Sequence, residues 1–210
     1  MALRASRVLR ASSLIELREY KLYPHMASYF CDQVNYTMKF RQSGLPIRTF
    51  TLPESGGTLN VGTHSYYYGG GHEERDAMRA AQSARSGWRA FLAEATPCVA
   101  EAASSLYAEA KLVADFGLYG MAPATGPGVS EGGGVATGAA SSVYELRRYQ
   151  LQLGYDTVPK FLKLFAAGLP SKLAAPGSDP TTSLITVIHT EVSAACVAYT
   201  GTTASFGDVL

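Results

Sequence analysis

The chain carries nearly the same segment twice. Leu14-Ile15-Glu16-Leu17-Arg18-Glu19-Tyr20-Lys21-Leu22 returns as Val143-Tyr144-Glu145-Leu146-Arg147-Arg148-Tyr149-Gln150-Leu151. Both copies read Glu-Leu-Arg-x-Tyr-x-Leu, and a second anchor follows each. Phe40 precedes Gly44-Leu45-Pro46, and Phe165 precedes Gly168-Leu169-Pro170. A shared order of alternating segment, apolar helix and Gly-Leu-Pro implies a duplicated small α/β unit, which can pair with a copy of itself.

The first copy is the longer. Leu14 to Leu22 alternates and is rich in branched and aromatic residues, as a strand is. Met26 to Gln42 places Met26, Tyr29, Phe30, Val34, Met38 and Phe40 on one helical stripe. Residues 47–52 and 58–68 read as two further strands. His72 to Ala84 and Trp88 to Ala95 read as helical, and Tyr107 to Phe116 as a closing strand. The resulting order, strand-helix-strand-strand-helix-strand, is the split βαβ pattern of an α+β, ferredoxin-like unit.

Residues 117–141 hold 8 glycines in 25 positions and a single charge, Glu131, which predicts a linker. The second copy, residues 142–192, begins with a strand over 143–153, a helix over 158–165 and a strand over 183–189. Residues 193–210 show no repeat pattern and read as a divergent tail, leaving a partial unit.

Composition narrows the function classes. Apolar residues make up 47% of the chain, enough for a packed core, and the formal net charge of +1 gives no field for nucleic acid. No apolar run is long enough for a transmembrane segment. Cys31, Cys98 and Cys196 are scattered, and the four histidines are too dispersed for a metal site, so neither metal nor cofactor is implied. Residues 1–13 carry Arg4, Arg7 and Arg10 with Ser and Ala and no acid, the character of a mitochondrial transit segment.

Two polar sets stand out. Glu16, Arg18 and Tyr20 share one side of the first strand, where an arginine fork can clamp a carboxylate or phosphate. A Glu–Arg pair that satisfies itself is the plainer reading. Asn60, His64, Tyr66 and Tyr68 share a face of the third strand by the same alternation. With His64 as base and tyrosines as walls they form a candidate catalytic pocket. An aromatic strand packed on its neighbours is the plainer reading here too.

Taken in order, Glu16-Leu17-Arg18-x-Tyr20, Gly57-Thr58-Leu59-Asn60, His64, Tyr66-Tyr67-Tyr68, Arg75, Arg79 and Trp88-Arg89-Ala90-Phe91-Leu92 resemble the NIPSNAP family. The resemblance implies tandem ferredoxin-like units forming dimeric α/β barrels, either as a homodimer or as an intramolecular pseudo-dimer. It also implies a mitochondrial address and work through protein partners in mitochondrial quality control, mitophagy and vesicle trafficking. It implies no settled catalysis. Two departures stand against it. Arg85-Ser86-Gly87 replaces the Asp-Pro that often precedes the tryptophan, and the second copy lacks the Gly-x-Leu-Asn turn and the tryptophan helix. A non-catalytic mitochondrial scaffold is therefore the leading expectation. A small barrel-type enzyme, a cofactor-free oxygenase or isomerase using the Asn60/His64/Tyr66/Tyr68 face, is the alternative.

Overall fold

The computed structural model of the chain describes residues 13–53, 58–118, 142–174, 185–189 and 194–202. All but Ser13 of the expected transit segment and nearly all of the expected linker lie outside the described residues.

The first unit is built around β1, Leu14–Leu22. Its inner neighbours are β3 (Val61–Tyr68) and β4 (Val99–Glu109), both antiparallel to it, and β2 (Ile47–Thr51) pairs with the outer side of β3. The spatial order β2-β3-β1-β4 is that of a ferredoxin-like sheet. Helix α1 (Ala27–Gln42) crosses between β1 and β2. Helices α2 (Gly71–Ala84) and α3 (Ser86–Ala95) cross between β3 and β4. The helices bury one core with the sheet: Phe30 and Val34 from α1, Trp88 and Phe91 from α3, and Leu14, Leu22, Tyr66 and Tyr68 from the strands.

The closing strand departs from the sequence reading. It starts at Val99 rather than Tyr107, and residues 111–115 form a short helix, α4 (Lys111–Asp115). The run Ala100–Ser104 is exposed and, apart from Glu101, small, so no apolar alternation marks it. Pairing with β1, from Leu14 opposite Ala108 to Leu22 opposite Val99, decides its conformation instead. The third strand is likewise shorter than read, because residues 59 and 60 form a turn before Val61.

The second unit holds β5 (Ser142–Gln150), α5 (Thr157–Leu173), β6 (Ile185–His189) and β7 (Ala194–Thr202). Strand β7 lies in the stretch that showed no repeat pattern. It pairs antiparallel with β5 from Ser142–Thr202 to Gln150–Ala194, and with β6 on its other side. The order β5-β7-β6 repeats β1-β3-β2 of the first unit, so β7 is the third strand of the repeat. A strand bonded on both sides takes its definition from its neighbours, which is why so many small residues, such as Ala194, Ala195 and Gly201, did not betray it.

Helix α5 also runs further than Phe165. It continues through Gly168 and Pro170 to Leu173, whereas α1 stops before its own Gly-Leu-Pro. The units meet where β4 pairs β6 at Ala108–His189 and Glu109–Ile188. Beside that joint Ala110, Leu112, Val113 and Leu118 pack with Leu169 of α5. Leu118, the second residue of the expected linker, is thus part of a core.

Candidate functional site

Alternation along β1 turns Glu16, Arg18 and Tyr20 toward the helices, opposite Tyr66, His64 and Gly62 of β3. Glu16 is fully buried. Arg75, one turn from the start of α2, grips both its oxygens, Nε to Oε2 at 3.1 Å and Nη2 to Oε1 at 3.2 Å. Arg79, four residues on and so on the same helix face, donates to Oε2 at 2.9 Å. Ser104 of β4 donates to Oε1 at 2.8 Å, Tyr68 to Oε2 at 3.3 Å, and Arg18 pairs with Oε1 at 3.2 Å. Burial alone would raise the Glu16 carboxyl, but Arg75, Arg79 and Ser104 hold it down at about 2. This carboxylate is saturated and ties β1, β3, β4 and α2 together.

A second cluster lies on the same side of the sheet. The buried stripe of α1 runs Phe30, Val34, Arg41, steps that return to one helical face. Its last member is a cation, 1% exposed. Arg41 Nη2 donates to His64 Nδ1 at 2.9 Å and to the Tyr66 hydroxyl at 2.9 Å. The guanidinium lies over the rings of Phe91 (5.0 Å) and Trp88 (5.7 Å). Among the described residues no carboxylate pairs with it, and its Nε and Nη1 have no hydrogen-bond partner.

This geometry fixes the histidine. A guanidinium only donates, so Nδ1 of His64 is the acceptor and the ring proton sits on Nε2. That N–H is also buried without a partner among the described residues. Burial pushes His64 well below the usual histidine range, and the charges of Arg41, Arg18 and Arg79 push it further. His64 is neutral, with its one lone pair engaged. The unpaired groups of the cluster, Arg41 Nε and Nη1 and His64 Nε2, are therefore all donors, and each buried donor left unpaired costs about 1–3 kcal/mol.

A cavity of about 180 Å³ opens beside these groups. Arg18, Tyr20, Arg41 and His64 line it on one side, and Phe30, Trp88, Phe91 and Val99 on others. It lies between the sheet, α1 and α3.

Of the four residues expected on the β3 face, His64, Tyr66 and Tyr68 share it and are buried. Asn60 does not join them. It stands in the turn ahead of β3 with φ 58°, a left-handed conformation that asparagine tolerates, and its carbonyl accepts from the Leu22 N–H at 2.8 Å. Tyr20 reaches the cavity wall and accepts from Arg18 at 3.4 Å. Arg41 was missed by the sequence reading, although a cation at the fourth turn of an apolar stripe was its visible sign. Among the described residues no group of His, Cys, Asp and Glu could hold a metal ion, and no helix is long and apolar enough to cross a membrane.

Comparison with known proteins bears on the first unit. No curated protein matches the chain. A NIPSNAP domain protein from Burkholderia xenovorans, uncharacterized, is 22% identical over 44% of this chain and 90% of its own, with a TM-score of 0.42. A NIPSNAP family protein from Agrobacterium tumefaciens is 14% identical over 45% of this chain and 90% of its own, with a TM-score of 0.43. A second protein from Agrobacterium tumefaciens is 20% identical over 47% of this chain and 94% of its own, with a TM-score of 0.44. The family model NIPSNAP matches residues 15–112, from the start of β1 to the start of α4. That match makes residues 15–112, the first unit, a NIPSNAP domain.

Proposed function

We propose that the chain is a binding protein of the mitochondrion rather than a catalyst, acting through protein partners in mitochondrial quality control, mitophagy and vesicle trafficking. The observation that carries the non-catalytic part is the 2.9 Å contact from Arg41 to His64 Nδ1. A general base needs a free lone pair and a pKa near the working pH. His64 has its lone pair engaged and its basicity depressed by burial and by three arginines. Glu16, the other acid–base candidate, is consumed by its own arginines. Exposed Leu153, Tyr155 and Leu164 on the second unit give apolar surface suited to protein contacts. The arginines at positions 4, 7 and 10 support the mitochondrial address.

The alternative, a cofactor-free oxygenase or isomerase, is favoured by the cavity that His64 lines. One experiment separates the two. Cells lacking the chain are tested for clearance of depolarised mitochondria after re-expression of wild type, of His64→Gln, or of a form lacking residues 2–13. Wild type and a folded His64→Gln should both restore clearance, and the shortened form should neither enter mitochondria nor restore it. A folded but inactive His64→Gln would favour the enzyme, and normal import of the shortened form would remove the address.

A further inference from the structure

The unpaired donors and the cavity belong to one place in the fold. Arg41 and His64 both line the cavity, and Trp88 and Phe91, whose rings flank the Arg41 guanidinium, line it too. We propose that this cavity binds a small carboxylate with a flat apolar body, its oxygens accepting from Arg41 and His64 and its body lying against Trp88 and Phe91. The site goes beyond the protein-binding role and stands independently of it.

Three features select that chemistry. The first is polarity. Arg41 Nε and Nη1 and His64 Nε2 are all donors, and the described residues supply no acceptor to them. A ligand that satisfies them must present acceptors only, which an ionised carboxylate does. The second is charge. Glu16 answers Arg18, Arg75 and Arg79, but no acid answers Arg41. One unanswered buried cation calls for one negative charge, and the planar guanidinium matches a planar carboxylate. The third is shape and wall. At about 180 Å³ the cavity is below the roughly 300–1,000 Å³ of sites for drug-sized molecules, and most of its wall is aromatic or aliphatic. A hydrated inorganic anion would leave that wall uncovered, and a neutral aromatic would leave the donors unmet. Ala102 and Leu92 line the cavity and are themselves exposed, so they mark its mouth.

Trp88 is the only tryptophan of the chain and sits on the cavity wall, so its fluorescence reports occupancy directly. The full chain is titrated at neutral pH with benzoate, with benzyl alcohol and with inorganic phosphate. Benzoate should change Trp88 emission saturably and raise Tm, with an affinity at least tenfold above that of benzyl alcohol, and phosphate should not saturate. Arg41→Met should weaken benzoate at least tenfold. Because a buried arginine also supports the fold, Ala102→Phe at the exposed mouth provides the second variant. It should keep the unliganded Tm and lose the benzoate response. Equal binding of benzyl alcohol would overturn the anion-binding role of Arg41, and equal binding of phosphate would overturn the apolar body. An unaltered response in Ala102→Phe would place benzoate elsewhere. No response to any of the three would leave the cavity to water and end the proposal.

Discussion

Glu16 on β1 and Arg41 on α1 show how burial assigns opposite tasks to two ions on the same side of the sheet. Glu16 has more donors than it needs, and Arg41 has fewer acceptors than it needs. The consequence for Glu16 is a measurable acid sensitivity. Its folded pKa is about 2 against an ordinary 4.5, so the folded state binds its proton less readily than the unfolded state does. That stabilisation is fully present above pH 4.5 and is lost as pH falls toward 2, a change on the order of 2 kcal/mol after solvent screening. Glu16→Gln should remove this slope and leave three arginines without their anion, lowering stability at pH 7 by roughly 3 kcal/mol. Denaturant melts of both proteins from pH 7 to pH 3 test this, and an unchanged slope in the variant would show that Glu16 is not the group responsible. His64 adds a second step with the same sign. Its folded pKa is lowered, so the unfolded chain takes up that proton first and stability begins to fall as pH drops through 6.5.

Elements with their own periodicity were legible in the sequence, and those shaped by neighbours were not. The stripe of α1 and the alternation of β1 and β3 announced themselves, and with them His64, Tyr66 and Tyr68. Strand β4 and strand β7 did not, because small residues carry no pattern and pairing alone makes them strands. Arg41 stayed hidden for a related reason. A cation in an apolar stripe reads as an interruption until the cavity on its far side is seen. Asn60 was drawn onto β3 by counting alternation back past a turn that no periodicity reveals. The end of α5 misled through the repeat itself, since Gly-Leu-Pro stops α1 at Gln42 but lies inside α5. The helical state of that segment is testable. Glycine in a helix interior costs about 1 kcal/mol relative to alanine. A Cβ on Gly168 would meet nothing within 4 Å. Gly168→Ala should therefore stabilise the chain by about 1 kcal/mol, read as a rise in the denaturation midpoint. A loss of stability would mean that the helix ends near Phe165, as the repeat alone suggested.

At the scale of the whole molecule, the two units are unequal partners. The core of the first draws its buried members from Leu14 to Cys98, with none from the second unit. Among the described residues the second unit meets it at two paired positions on β4 and β6, an Arg148–Glu19 ion pair at 3.1 Å, and the small cluster around Leu169. Exposed ion pairs contribute little, so the cluster carries most of the joint. Leu169 is fully buried there against Leu112, Val113 and Leu118. Truncating such a leucine costs about 2–5 kcal/mol. In a chain that unfolds as one body, Leu169→Ala would speed amide exchange equally everywhere. With a joint this narrow, the loss should fall on the second unit alone. Exchange of the β5 and β7 amides should accelerate by roughly two orders of magnitude, while β1 and β3 keep their protection. Equal acceleration in β1 and β5 would instead make the seven-stranded sheet a single cooperative unit, and the second unit an integral part of the first one's stability.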